Sequence, residues 1–133
     1  MLRISALTLL LLVAACHTSE QAPTSNLAAD MVGTWLMEAI YQDGQDVTEQ
    51  HDPSDNRWFE FAGDGTFISD GDPHGRNTGH WTLDKETHEL HIDSDAGEDD
   101  DSYWIVSMVG DTMRWQGARF EWNKRFELVH LRK

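Results

Sequence analysis

The chain has 133 residues, with 24 acidic against 10 basic side chains and a formal charge of −14. So acidic a chain is repelled by nucleic acid and by anionic headgroups, which sets nucleic-acid binding aside. A single cysteine excludes an internal disulfide, so stability must come from a core to which 6 Trp, 5 Phe and 2 Tyr bring large apolar area.

In chain order, Met1-Leu2-Arg3 precedes an apolar run from Ile4 to Ala15. One cation followed by about a dozen apolar residues is the make-up of a secretory signal peptide. The run is shorter than the roughly 20 residues that cross a bilayer. It closes on Val13-Ala14-Ala15-Cys16, which resembles a bacterial lipobox. That resemblance implies cleavage of residues 1–15 and acylation of Cys16, with diacylglycerol on the thiol and a palmitate-type chain on the new amino terminus. At about 0.8 kcal/mol per buried methylene, two or more chains anchor a protein stably. With His rather than Asp at position 17, similarity to such lipoproteins implies the outer membrane of a Gram-negative bacterium, the domain lying in the periplasm. Losing residues 1–15 removes Arg3 and leaves 118 residues of charge −15, a one-domain length. Residues 16–30, the cysteine and "HTSEQAPTSNLAAD", read as a tether reaching about 45 Å when extended. The closing "NLAADMV" suits one helical turn entering a domain at 31–133.

Within that domain Trp35, Trp58, Trp81 and Trp104 recur every 23 residues. Phe67, Leu90 and Met113 each follow one of the last three by nine. Turn material at "AGDG" (62–65), "DKET" (84–87) and "VGDT" (109–112) predicts hairpins over 57–70, 80–93 and 103–117. Partial period-two patterning in "RWFEFA", "HWTLD" and "HELHI" supports strands. The predicted strands are 34–41, 57–62, 66–70, 80–84, 88–93, 103–109, 112–117 and 125–132. Residues 113–122 leave two arrangements open: a strand continuing through Phe120 and Trp122 with a bulge at Gly117, or those aromatics in a loop. Eight strands joined by short links predict an all-β, antiparallel up-and-down barrel, which leaves no exposed edges.

Gly33-Thr34-Trp35 at the start of the first strand, followed by "FEFAGDGTF", "GHWTLD", "LHI", "YWIV" and "GDTMRW", resembles the small lipocalin-like domains of bacterial lipoproteins. The resemblance covers about residues 31–133. It implies that Trp35 plugs the closed end of the barrel under an arginine of the last strand, Arg132 by position, with Arg125 the alternative. The Thr-Asp-Tyr motif and carboxy-terminal helix of larger lipocalins are missing, so a deep calyx does not carry over.

Links at 62–65, 84–87 and 110–111 are tight and fall at one end. Those at 42–56, 71–79 and 94–102 are long, fall at the other, and carry Asp43, Asp46, Glu49, Asp52, Asp55, Asp72, Asp95, Glu98, Asp99, Asp100 and Asp101. Long loops on a rigid scaffold carry binding sites. The tether and the basic tip Arg132-Lys133 belong to the tight end, so the long-loop end faces away from the membrane. An eight-stranded interior is filled by side chains or holds one small ligand; with so many aromatics a shallow or partly filled cavity is expected, its candidate walls Trp58, Phe61, Trp81, Ile105 and Trp115.

"DSDAGEDDD" (93–101) lacks EF-hand spacing and reads as a solvated acidic loop. His88 and His91, three apart on a predicted strand, point to opposite faces and cannot share a metal. Nothing in the spacing of His51, His74 and His80 demands a metal, and His130 reads as a paired barrel residue. No nucleophile elbow or phosphate-cradling loop is present. The expectation is a non-catalytic binder of a small apolar molecule, without cofactor or metal. The alternative is a module of the cell envelope that docks a basic protein partner through its acidic loop end.

Overall fold

The computed structural model describes residues 26–133. The signal peptide at 1–15, Cys16 and the tether as far as residue 25 lie outside the described residues. The fold opens with helix α1 (Leu27–Met31), capped by the Asn26 side chain, which accepts from the Ala29 amide at 3.2 Å.

Strands β1 (Gly33–Gln42), β3 (Trp58–Phe61), β4 (Thr66–Asp70), β5 (Asn77–Leu83), β6 (Glu89–Ser94), β7 (Ser102–Val109), β8 (Thr112–Ala118) and β9 (Phe126–Arg132) form one antiparallel meander. It closes where β9 pairs with β1, from Trp35 opposite Arg132 to Gln42 opposite Phe126. The result is a closed eight-stranded barrel. The pairings that close the barrel and the core it encloses are built from residues 31–132.

The tight turns follow from their aspartates. Asp64 Oδ1 accepts from the Thr66 amide and hydroxyl at 2.9 and 2.7 Å, and Asp84 Oδ1 accepts from the amides of Glu86 and Thr87, both at 2.9 Å. These bonds favour the ionised carboxylates and hold both below the usual carboxylate range.

Alternation sends Trp35, Met37, Phe61, Phe67, Trp81, Leu90, Val106, Met113 and Trp115 into a single buried core. Phe67, Leu90 and Met113, the three residues placed nine after a tryptophan, are all inside, next to the tight turns. In β1 the alternation is reset by a bulge at Glu38, between the pairs Met37–His130 and Ala39–Val129. Trp35, Met37 and Ile40 therefore all face inward.

The first long link and His88 depart from the sequence reading, and of the two arrangements open for residues 113–122 the loop is the one found. The first long link holds a two-residue strand β2 (Gln45–Asp46), which lengthens β1 into a hairpin, and helix α2 (Thr48–His51). β8 stops at Ala118, and Gly117 pairs regularly with Trp104 without a bulge. Phe120 and Trp122 lie in the β8–β9 link around helix α3 (Glu121–Lys124). His88 sits in the β5–β6 turn at φ 60°, outside the strand.

Candidate functional site

The closed end is sealed by one cluster. The Trp35 indole is fully buried and donates from Nε1 to the Met31 carbonyl at 2.8 Å. The Arg132 guanidinium lies 4.3 Å above its ring, reaches the carbonyls of Asp30 at 2.6 Å and Val32 at 3.2 Å, and pairs with Asp111 at 3.4 Å. Gly33 adopts φ +133°, and a Cβ there would stand 3.1 Å from Arg132 Nη1. Arg125 is at the opposite end, paired with Asp43.

The other end is open. A cavity of about 540 Å³ enters the barrel there, within the range of small-molecule pockets. Its walls include Ile40, Phe59, Ile92, Trp104, Trp115, Phe126 and Leu128, and all four long links reach its rim, through His51, His74, Asp99 and Trp122 among others. Trp115 divides the filled half from the open half: it packs on Phe59 at 5.1 Å, Trp104 at 5.7 Å and His130 at 4.5 Å between ring centroids. Trp122, 55% exposed, approaches Trp104 edge-on at 6.4 Å from the β8–β9 link.

The five wall residues read from the sequence are dispersed. Trp115 lines the cavity. Trp58 borders it, but stands in register with the outward-facing Leu36, so the residue pointing inward is Phe59. Phe61 and Trp81 face inward in the packed half, 5.2 Å apart, and do not reach the cavity. Ile105 points outward at 40% exposure, because the inward residues of β7 are Trp104 and Val106. Counting back by two from Phe61 would have found Phe59 and also Arg57.

Arg57 is the polar feature of the wall. Its carbonyl accepts from the amide of the inward-facing Met37 at 3.0 Å, which continues the β1–β3 ladder and sets Arg57 on the same face as Phe59. Nη1 donates to the His51 carbonyl at 3.1 Å. Burial lowers the guanidinium's pKa, opposed by the charge of Asp52. Burial, Arg57 and His51 together hold His74 below the ordinary histidine value. Deeper in, His130 is fully buried and neither ring nitrogen makes a well-formed hydrogen bond, the Met113 backbone alone favouring its charged form. Burial first, and Arg57 second, lower its pKa to about 3, so at neutral pH it is an uncharged core residue.

Across the mouth lies the β6–β7 link. Asp101 Oδ1 accepts from the Ser94 amide at 2.8 Å, the Ser94 hydroxyl donates to Asn77 at 2.7 Å, and Glu98–Asp100 form a short 3-10 turn with exposed side chains. His91 stacks on Tyr103 at 4.4 Å outside the barrel. Among the described residues no three His, Cys, Asp or Glu side chains gather as a metal site, and no helix is long and apolar enough to cross a membrane.

Comparison with known proteins agrees with this architecture. No curated protein matches the chain. Among solved structures, a DUF4847 family protein from Bacteroides vulgatus ATCC 8482 superposes with a TM-score of 0.57 at 12% identity, covering 77% of this chain and 94% of that one, which is a likeness of fold. The model of the lipocalin-like domain matches residues 31–115, from the end of α1 to the middle of β8. A closed eight-stranded barrel with Trp35 under Arg132, matched over more than half its length by that model, places the chain in the lipocalin-like domain family.

Proposed function

We propose that this protein is a non-catalytic, membrane-tethered binder that holds one small apolar molecule in the open half of its barrel. The observation that carries the reading is the aromatic-walled cavity of about 540 Å³ in an otherwise filled interior. Burying apolar ligand surface there contributes about 25 cal/mol per Å², and barrels of this size in the lipocalin architecture hold one small ligand. The tether reading rests on the Val13-Ala14-Ala15-Cys16 sequence. Acylation of Cys16 would place the domain on the periplasmic side of a Gram-negative outer membrane. Because α1 enters at the sealed end, beside Trp35 and Arg132, the cavity would then open away from the lipid surface.

Native mass spectrometry of the barrel purified from its own host tests the binding reading. A co-purifying small molecule supports it; a barrel that is empty and takes up no apolar probe overturns it. For the anchor, Cys16→Ser should move the protein from the membrane to the soluble fraction and abolish incorporation of labelled palmitate. Unchanged fractionation and labelling would refute acylation at Cys16.

A further inference from the structure

Among the described residues there are six arginines, and five of them lie within 4.0 Å of a carboxylate: Arg76 with Asp70, Arg114 with Glu127, Arg119 with Glu89, Arg125 with Asp43 and Arg132 with Asp111. The sixth is Arg57, in the cavity wall. In a chain with 24 acidic residues that omission is notable, because a guanidinium withdrawn from water is the one that gains most from an anion. Asp52 offsets its charge from a distance, but stands beyond 4.0 Å and accepts instead from the Asn56 amide at 3.0 Å. A guanidinium has five N–H donors; the one hydrogen bond made here by the Arg57 side chain goes to the His51 carbonyl.

We propose, resting on the binding function above, that the ligand is an apolar carboxylate: its body lies against Phe59, Trp104, Trp115 and Phe126, and its carboxylate is held by Arg57. The acidic residues of the mouth do not contradict this. Asp99, Asp100 and Asp101 belong to the link between β6 and β7, across the barrel from the β1–β3 side that carries Arg57, with Asp101 bonded to the Ser94 amide. Asp70, opposite Trp58 on β4 and so on the Arg57 side, has its charge met by Arg76 at 3.9 Å. Exposed charges are screened within about 8 Å at physiological ionic strength, whereas attraction to a withdrawn guanidinium is screened less.

The test is displacement of the neutral fluorescent probe N-phenyl-1-naphthylamine from the purified protein at pH 8 by dodecanoate, dodecanol and dodecylammonium. A charge-assisted hydrogen bond predicts that dodecanoate binds about 10- to 100-fold more tightly than dodecanol, with dodecylammonium weakest. Arg57→Gln should bring dodecanoate close to dodecanol while leaving dodecanol unchanged, and Arg57→Lys should keep part of the preference. Equal binding of the three by the wild-type barrel, or tighter binding of dodecylammonium, overturns the carboxylate assignment while leaving apolar binding intact. An equal loss of all three in Arg57→Gln would make Arg57 a wall residue only. If the probe itself does not bind, the function proposed above fails as well.

Discussion

Gly33, Trp35 and Arg132 act as one device. Only a residue without Cβ adopts φ +133° readily and leaves room for the guanidinium, which in turn covers the indole and ties α1 to β9 through the carbonyls of Asp30 and Val32. Trp35→Ala removes a fully buried indole and should cost about 3–5 kcal/mol in urea unfolding. A loss below about 1 kcal/mol would show that the seal is not part of the core. His130 gives a prediction of a different kind. Its pKa falls from an ordinary value near 6.5 to about 3 in the folded state, so between these pH values the unfolded chain binds more protons. The stability linked to it is complete above about pH 6.5 and is lost as pH falls toward 3, by up to about 1.4 kcal/mol per pH unit. Unfolding midpoints measured between pH 5 and 6.5 should therefore decline on acidification in the wild type. In His130→Leu most of that slope should vanish, leaving the part due to His74, whose pKa is also lowered. An unaltered slope would mean that His130 titrates normally.

At the scale of elements, the tight turns were the most legible feature, because Asp-Gly and similar turn chemistry is local and needs no tertiary information. Seven of the eight expected strands match within two residues at each end, and the eighth, 80–84, begins three residues earlier, at Asn77. Side-chain direction was less legible. The 23-residue spacing of Trp35, Trp58, Trp81 and Trp104 marks the hairpin repeat, yet Trp58 faces outward while the other three face inward. The bulge at Glu38 and the β2–α2 insertion change the parity between β1 and β3, and neither has a distinctive residue pattern. That is why Phe59 and Arg57 were missed; Ile105 was misplaced because the continuous apolar run "YWIVSM" carries no alternation from which to read its face. The β8–β9 link was equally opaque, since its conformation depends on one tertiary contact. Asn123 is fully buried and its Nδ2 donates to the Tyr103 carbonyl at 2.8 Å, while its backbone carbonyl oxygen sits 1.7 Å from where a Cβ on Gly117 would be. Gly117→Ala should therefore push the link outward, destabilise the barrel by about 1–3 kcal/mol, and speed release of a bound apolar probe as Trp122 leaves Trp104. Wild-type stability and release rates in Gly117→Ala would show that the link does not bear on the mouth.

For the whole molecule, closure divides the labour between two ends. Tight turns, α1 and the Trp35–Arg132 seal occupy one end, and four long links surround an opening at the other. Aromatics from the closed end to Trp115 fill half of the interior, which leaves a pocket that is short but lined by large apolar side chains. On the function proposed, this half-filled barrel binds inside itself rather than on its surface. Titration of N-phenyl-1-naphthylamine, followed by energy transfer from tryptophan, tests it against Ser69→Phe, which places an aromatic ring in the cavity from β4. Binding inside the barrel predicts saturation at one site per wild-type barrel and its loss in a folded Ser69→Phe variant. Equal binding by the two proteins, or none by the wild type, would contradict it.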